Sequence, residues 1–214
     1  QPLNPWYNGY TYLDTMNPAA VRRFIEITHE AYRRNDRKSF GKTVPGMFTD
    51  EPNHGAYNLR LDASGPVGQM PWTDRLPSVF RQRYGYDLVD HLAELVVDVD
   101  GNTLSTARWH FHDCTTYLFV EALAKPIGEW CGKNRLLFTG HVLAEDTLSS
   151  QTRVVGDCMR FYEYMQAPGM DLLTESSRLF ITAKQVSSAA HQFGRKWRLT
   201  ETYGCTGWDF SFAG

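Results

Sequence analysis

The feature that most constrains this chain is a change of period. Short strand-like runs alternate with longer helical stripes along most of its length. A strand followed by a helix returns the chain to the end of the sheet where the next strand must start. This alternation therefore implies a parallel sheet with right-handed crossovers. Strand-like runs are expected at Tyr10–Leu13, Val44–Phe48, Leu136–Thr139, Met170–Leu173 and Trp197–Thr200, five in all. Between the first two, Asn17-Pro18 supplies a helix cap and a proline for the first turn. Val21, Phe24, Ile25 and Thr28 then recur at helical spacing. Thr73 is expected to cap a helix that Gly85 ends. Leu88–Leu95 reads as a short helix, Leu104–Cys131 as a long one kinked at Pro126, and residues 152–166 as a further helical stretch. Ala183, Val186, Ala190 and Phe193 form the last stripe. Residues 53–72, rich in Gly, Pro and Asn, read as one long loop, a length that usually accompanies function or mobility.

A doubly wound sheet and a barrel both satisfy this pattern. No Gly-x-Gly-x-x-Gly or Walker loop follows any strand, which disfavours nucleotide-binding sheets. The expected fold is α/β, a (β/α)8 TIM barrel present only in part: about five βα units, in one domain over residues 1–214. Five strands cannot close an eight-stranded barrel. The opening Gln1-Pro-Leu-Asn-Pro-Trp also reads as an internal stretch, so the chain is expected to be a piece of a longer protein. Were it complete, its open sheet edges would invite oligomerisation.

Composition narrows the partners. Net charge is −2 with no basic block, which argues against a nucleic-acid partner. No apolar run is long enough for a membrane helix. Cys114, Cys131, Cys158 and Cys205 form no CxxC pair and read as buried free thiols, which leans towards a reducing, cytoplasmic compartment. Aromatic content is 14%, with 6 Trp and 11 Tyr. Most aromatics serve packing, but their faces also stack on pyranose C–H groups.

In parallel α/β proteins the chemistry collects at the C-terminal ends of strands. Here those ends carry Asp14, then Asp50-Glu51, then His141 with Glu145-Asp146, then Asp171 or Glu175, then Glu201 with Tyr203. A single loop acid means little, but an acid at every end suggests paired carboxylates. Glycosidic cleavage needs such a pair, one protonated to assist the leaving oxygen and one ionised to attack or to activate water. Asp171 and Glu175 read better as capping acids than as sugar contacts. His110 and His112, two apart in a helix, face different ways and do not read as a metal pair.

Several stretches resemble a known family. Tyr-Leu-Asp-Thr-Met-Asn-Pro-Ala-Ala-Val-Arg-Arg-Phe-Ile (12–25) resembles the third unit of barrel glycosidases related to clan A. Gly-Met-Phe-Thr-Asp-Glu-Pro (46–52), Trp72-Thr73, Phe-Arg-Gln-Arg-Tyr-Gly-Tyr-Asp-Leu (80–88) and Thr-Glu-Thr-Tyr-Gly (200–204) extend the resemblance over nearly the whole chain. The resemblance is to α-L-rhamnosidase-like proteins of glycoside hydrolase family 106 and, more distantly, to family 42 β-galactosidases. The resemblance implies that residues 10–13 are barrel strand three. It then places Glu51 at the end of strand four as general acid and Glu201 at the end of strand seven as nucleophile or base. Asp50 stands where clan A has an Asn that donates to the sugar; an ionised Asp only accepts. Clan A implies retention, whereas family 106 implies inversion and calcium dependence, and both stay open. Asp50, Trp72, His141, Glu145, Tyr203 and Trp208 are the expected substrate contacts, with Trp208 as a stacking platform. No metal-binding motif is present in the sequence, and calcium enters only through the resemblance. Two rivals remain: a non-catalytic sugar-binding barrel fragment, and a metal-dependent barrel hydrolase built on Asp50, His54, His141 and a strand-end acid.

Overall fold

The computed structural model describes residues 5–99, 101, 104–174 and 180–209. Among these, the main sheet has four parallel strands: β1 (Gly46–Thr49), β4 (Leu137–Gly140), β5 (Ala167–Leu172) and β6 (Leu199–Thr202). Their spatial order is β1-β4-β5-β6, so each strand lies beside the one that precedes it in the sheet. A doubly wound sheet would reverse direction at a switch point. Winding in one direction instead curls the sheet into a half-barrel, consistent with a partial barrel.

The expected first strand is a correction. Tyr10–Leu13 joins no ladder, leaving four strands where five were expected. Tyr12 and Leu13 line a cavity of about 440 Å³ together with Met47, Phe48 and Thr49 of β1. The segment therefore lies near the β1 edge without hydrogen bonding to it as a strand. Asp14 turns the chain directly afterwards, its carboxylate accepting from the Met16 amide at 3.1 Å and from the Thr73 hydroxyl at 2.7 Å. That bond also occupies Thr73, so helix α3 starts later than expected, at Leu76, and runs to Tyr84.

The helices follow from their caps and packing. Asn17 accepts from the Ala19 and Ala20 amides and Pro18 opens α1 (Pro18–Ile27), followed directly by α2 (His29–Asp36). The expected long helix is α4 (Thr106–Phe119) and α5 (Lys125–Lys133) joined by a π turn at Val120–Ala124. Pro126 has no N–H to continue the α ladder, and the wider turn absorbs that loss. Residues 152–166 are not one helix but the end of α6 (Leu148–Val154) and α7 (Cys158–Tyr162). Gly156, at φ +80°, breaks them; a Cβ there would stand 1.8 Å from Thr116 Oγ1. Helix α8 spans Phe180–Gln192, and Leu88–Leu95 is realised as a 3-10 helix over Val89–Leu95. The long loop holds an unforeseen hairpin, β2 (Arg60–Asp62) with β3 (Gly65–Val67). Its turn is tied by Asp62 Oδ1, which accepts from the Ser64 amide at 2.7 Å.

The core packs Phe111, Phe119, Ile127 and Cys131 of the α4–α5 layer against Phe138 of β4 and Phe161 of α7. Three of the four cysteines are buried free thiols; Cys205, expected to be buried, is exposed in the turn after β6, where its amide donates to the Leu173 carbonyl at 2.9 Å. No helix among the described residues is long and apolar enough to cross a membrane.

Candidate active site at the strand ends

The C-terminal ends of the four strands bring together Asp50, Glu51, His141, Asp171 and Glu201. Side-chain ligand atoms of Asp50, His141 and Glu201 lie within 4.8 Å of one another, and so do those of Glu51, His141 and Asp171. His141 is the hub. It follows Gly140, whose φ of +124° and lack of a Cβ let β4 close onto β1; a Cβ would lie 2.0 Å from the Thr49 carbonyl. The His141 side chain is 1% exposed, and Phe48 packs edge-on against its ring with centroids 5.6 Å apart. Its Nε2 is 3.0 Å from Glu201 Oε2 and 3.5 Å from Asp50 Oδ1. Ionised carboxylates only accept, which puts the proton on Nε2. The buried Nδ1 has no hydrogen-bond partner among the described residues.

The strand register explains the grouping. Asp171 and Glu201 are direct partners in the parallel β5–β6 ladder and share a sheet face. Glu51 sits two residues beyond β1, at φ +43° rather than in the extended geometry expected before Pro52. The following turn overrides that bias: Asn53 Nδ2 donates to the Glu51 carbonyl at 3.2 Å, and the Asn53 carbonyl accepts from Thr15 at 2.7 Å. Ala144 and Tyr203, after β4 and β6, also have positive φ, +54° and +63°. Left-handed backbone at non-glycine residues costs about 1 kcal/mol or more each and collects at functional sites.

The carboxylates are electrostatically unequal. Burial raises the Glu51 pKa, and Asp50, Asp171 and Glu201 push it the same way while His141 opposes. Asp171 is raised first by burial and then by Glu201 and Asp50, again against His141; its Oδ1 is buried without a hydrogen-bond partner among the described residues. Glu201 and Asp50 are open to solvent, with side chains 43% and 74% exposed. A shielded carboxyl held towards its protonated form beside an accessible carboxylate is the arrangement acid–base cleavage uses.

The other expected contacts are placed differently. Glu145 is 3% exposed, and burial raises its pKa to about 7. Its two oxygens accept from the Tyr162 hydroxyl and the Asp171 amide, each at 2.6 Å. Glu145 and Asp146 help line a 320 Å³ cavity together with Glu51 and Asp171. The Tyr203 amide donates to the Leu172 carbonyl at 2.7 Å, extending the β5–β6 pairing past Thr202. Trp208 is fully exposed, and Trp72 is 41% exposed ahead of α3. Glu175 lies outside the described residues. Asp171, read as a capping acid, instead joins the cluster; its strand-end position opposite Glu201 was the signal that marked it.

His54 is absent from both ligand groups. Its ring is buried beside Phe119, its Nδ1 donates to the Gly55 carbonyl at 3.0 Å, and burial lowers its pKa to about 4. The Asp50–His54–His141 metal set is therefore not assembled among the described residues. The cluster itself offers four carboxylates and one imidazole. Oxygen-rich sets of this kind suit a hard cation such as calcium, and the imidazole does not.

No protein-family model matches the chain, and no curated protein matches it significantly. Among solved structures, a rhamnosidase from Novosphingobium sp. PP1Y superposes with a TM-score of 0.65 at 20% sequence identity, covering 89% of this chain. The chain spans 17% of that protein's length. At this identity the likeness is one of fold, and what it establishes is that the curled parallel sheet and its helices are shared with part of a glycosidase.

Proposed function

We propose that this chain carries the catalytic carboxylates of a glycoside hydrolase acting on rhamnosides, with Glu51 as general acid and Glu201 as nucleophile or general base. One observation carries the reading: Glu51, raised by burial and by three neighbouring carboxylates, shares a strand-end cluster with the accessible Glu201. In this reading Glu51 gives its proton to the glycosidic oxygen as the bond to the anomeric carbon breaks. Glu201, held by the His141 N–H, attacks that carbon or takes a proton from the attacking water. The rhamnosidase likeness supports the sugar class, and the sequence resemblance supports the two roles.

Calcium belongs to the proposal through the family resemblance: the solvent-open Asp50 would help to hold it, leaving Glu51 free to carry its proton, and a bound ion would orient sugar hydroxyls. The reading is tested with aryl α-L-rhamnosides. Glu51→Gln and Glu201→Gln should each remove most turnover while leaving circular dichroism unchanged; unaltered turnover in either variant sinks its assigned role. Chelation should lower activity, and calcium rather than zinc should restore it. Restoration by zinc alone would favour a metal-dependent hydrolase instead.

A further inference from the structure

Strand β4 pairs with β5 only at Thr139–Ala167 and Gly140–Pro168, whereas β5 continues to Leu172. Beyond Gly140 the chain follows β1 instead, with the His141 amide donating to the Thr49 carbonyl and the Leu143 amide to Pro52. The far end of β5 therefore loses its neighbour on that side. Leu172 gives its carbonyl to Tyr203 on the β6 side. Backbone groups alternate sides along a strand, so the Asp171 amide points to the side β4 has left. A buried amide without an acceptor costs about 1–3 kcal/mol. Here the acceptor is Glu145 Oε1 at 2.6 Å.

Glu145 is itself fixed on every side. Its Oε2 accepts from Tyr162, a wholly buried residue of α7. Its carbonyl accepts from Gln151 Nε2 at 2.9 Å, and that amide nitrogen also reaches Gln185 of α8 at 3.0 Å. Ala144, at φ +54°, precedes it. The Glu145 side chain thus ties α7 to the strand end that bears Asp171, while its backbone carbonyl holds α6 and, through Gln151, α8. Asp171 in turn faces Glu51 and His141 and stands in register with Glu201.

We propose that Glu145 is a positioning residue: its carboxylate replaces the missing β4 ladder at Asp171 and so sets the acid wall that faces Glu51. The inference rests on the reading of the cluster as a hydrolytic centre. It departs from the expectation that Glu145 touches substrate, because both its oxygens are already engaged within the protein.

Glu145→Leu keeps the volume but removes both acceptors. Its kcat should fall about tenfold to a hundredfold, as misplacement near the chemistry does, while KM stays within about threefold. Glu145→Gln can still accept from the Asp171 amide through Oε1 and donate to Tyr162, whose hydroxyl rotates; it should stay within about threefold of wild-type turnover. Hydrogen exchange at the Asp171 amide should be about tenfold or more faster in the Leu variant and near wild type in the Gln variant. Should the Leu variant fail to fold, Tyr162→Phe provides the same readings, with smaller changes in the same direction. An Asp171 amide as protected in Glu145→Leu as in wild type would overturn the proposal. So would a Gln variant as impaired as the Leu variant, because the carboxylate itself would then be needed by substrate. If the wild-type protein cleaves no glycoside, the hydrolase reading falls, while the exchange measurement still decides whether Glu145 holds Asp171.

Discussion

Two acid-bearing regions of this molecule behave in opposite ways. On the helical side, Asp113 of α4 accepts from Arg160 at 2.7 Å, from Arg83 at 3.1 Å and from the Tyr84 hydroxyl. Burial alone would raise its pKa, but these three donors outweigh it and hold the carboxylate below its usual range. At the strand ends, Glu51 and Asp171 are half-buried among further carboxylates, with the His141 imidazole as the opposing influence on each, and both pKa values rise. The first region neutralises its acid and so contributes to holding α3, α4 and α7 together. The second concentrates like charge, positive-φ backbone and polar atoms without partners, all of which cost stability. Such a cost is kept where the arrangement does chemistry.

Substitutions should expose this contrast. The largest effect is expected for Glu201→Gln, with turnover falling about a thousandfold while the melting temperature holds or rises, because one like charge leaves the cluster. A marked loss of stability would place Glu201 in the structural class instead. Asp113→Ala should do the reverse, lowering unfolding free energy in urea by roughly 2 kcal/mol, since two arginines lose a part-buried partner, with the kcat of the folded fraction unchanged. Asp171→Asn addresses the electrostatics. Asp171 raises the Glu51 pKa, and Glu51 must be protonated to act, so removing that charge lets Glu51 ionise at lower pH. The alkaline limb of kcat/KM should therefore move acidward by up to about one pH unit; a shift to higher pH would contradict the arrangement. The smallest effect is expected for Trp208→Ala. The side chain is fully exposed, so stability should not change, and only a stacking contact with substrate would appear, as a KM rise of about threefold to fivefold.

The parts of this architecture legible in the sequence are those set by local pattern. The four sheet strands are each marked by an apolar run at or beside them, with β6 displaced by two residues to Leu199–Thr202 and β5 starting earlier, at Ala167, and the α1 cap is marked by Asn17-Pro18. Glu51, His141 and Glu201 could be named because strand ends are where such chemistry collects. What escaped depended on contacts distant in sequence. Tyr10–Leu13 has the residues of a strand but no ladder partner. Thr73 is consumed by Asp14, which is 59 positions away. Glu145 looks like a loop acid until Tyr162 and Asp171 close over it. The β2–β3 hairpin is different: Asp62-Ala-Ser-Gly65 is a local turn signal, masked by the loop-like composition of the whole stretch.

The division of labour between Glu51 and Glu201 is tested most directly by leaving-group dependence. The 2,4-dinitrophenolate leaves its rhamnoside without protonation, whereas the methoxy oxygen of a methyl rhamnoside needs a proton from a general acid to leave. Glu51→Gln should therefore retain hydrolysis of the first to within about tenfold and lose about a thousandfold on the second, while Glu201→Gln loses both. Equal losses on the two substrates in Glu51→Gln would contradict its role as the proton donor.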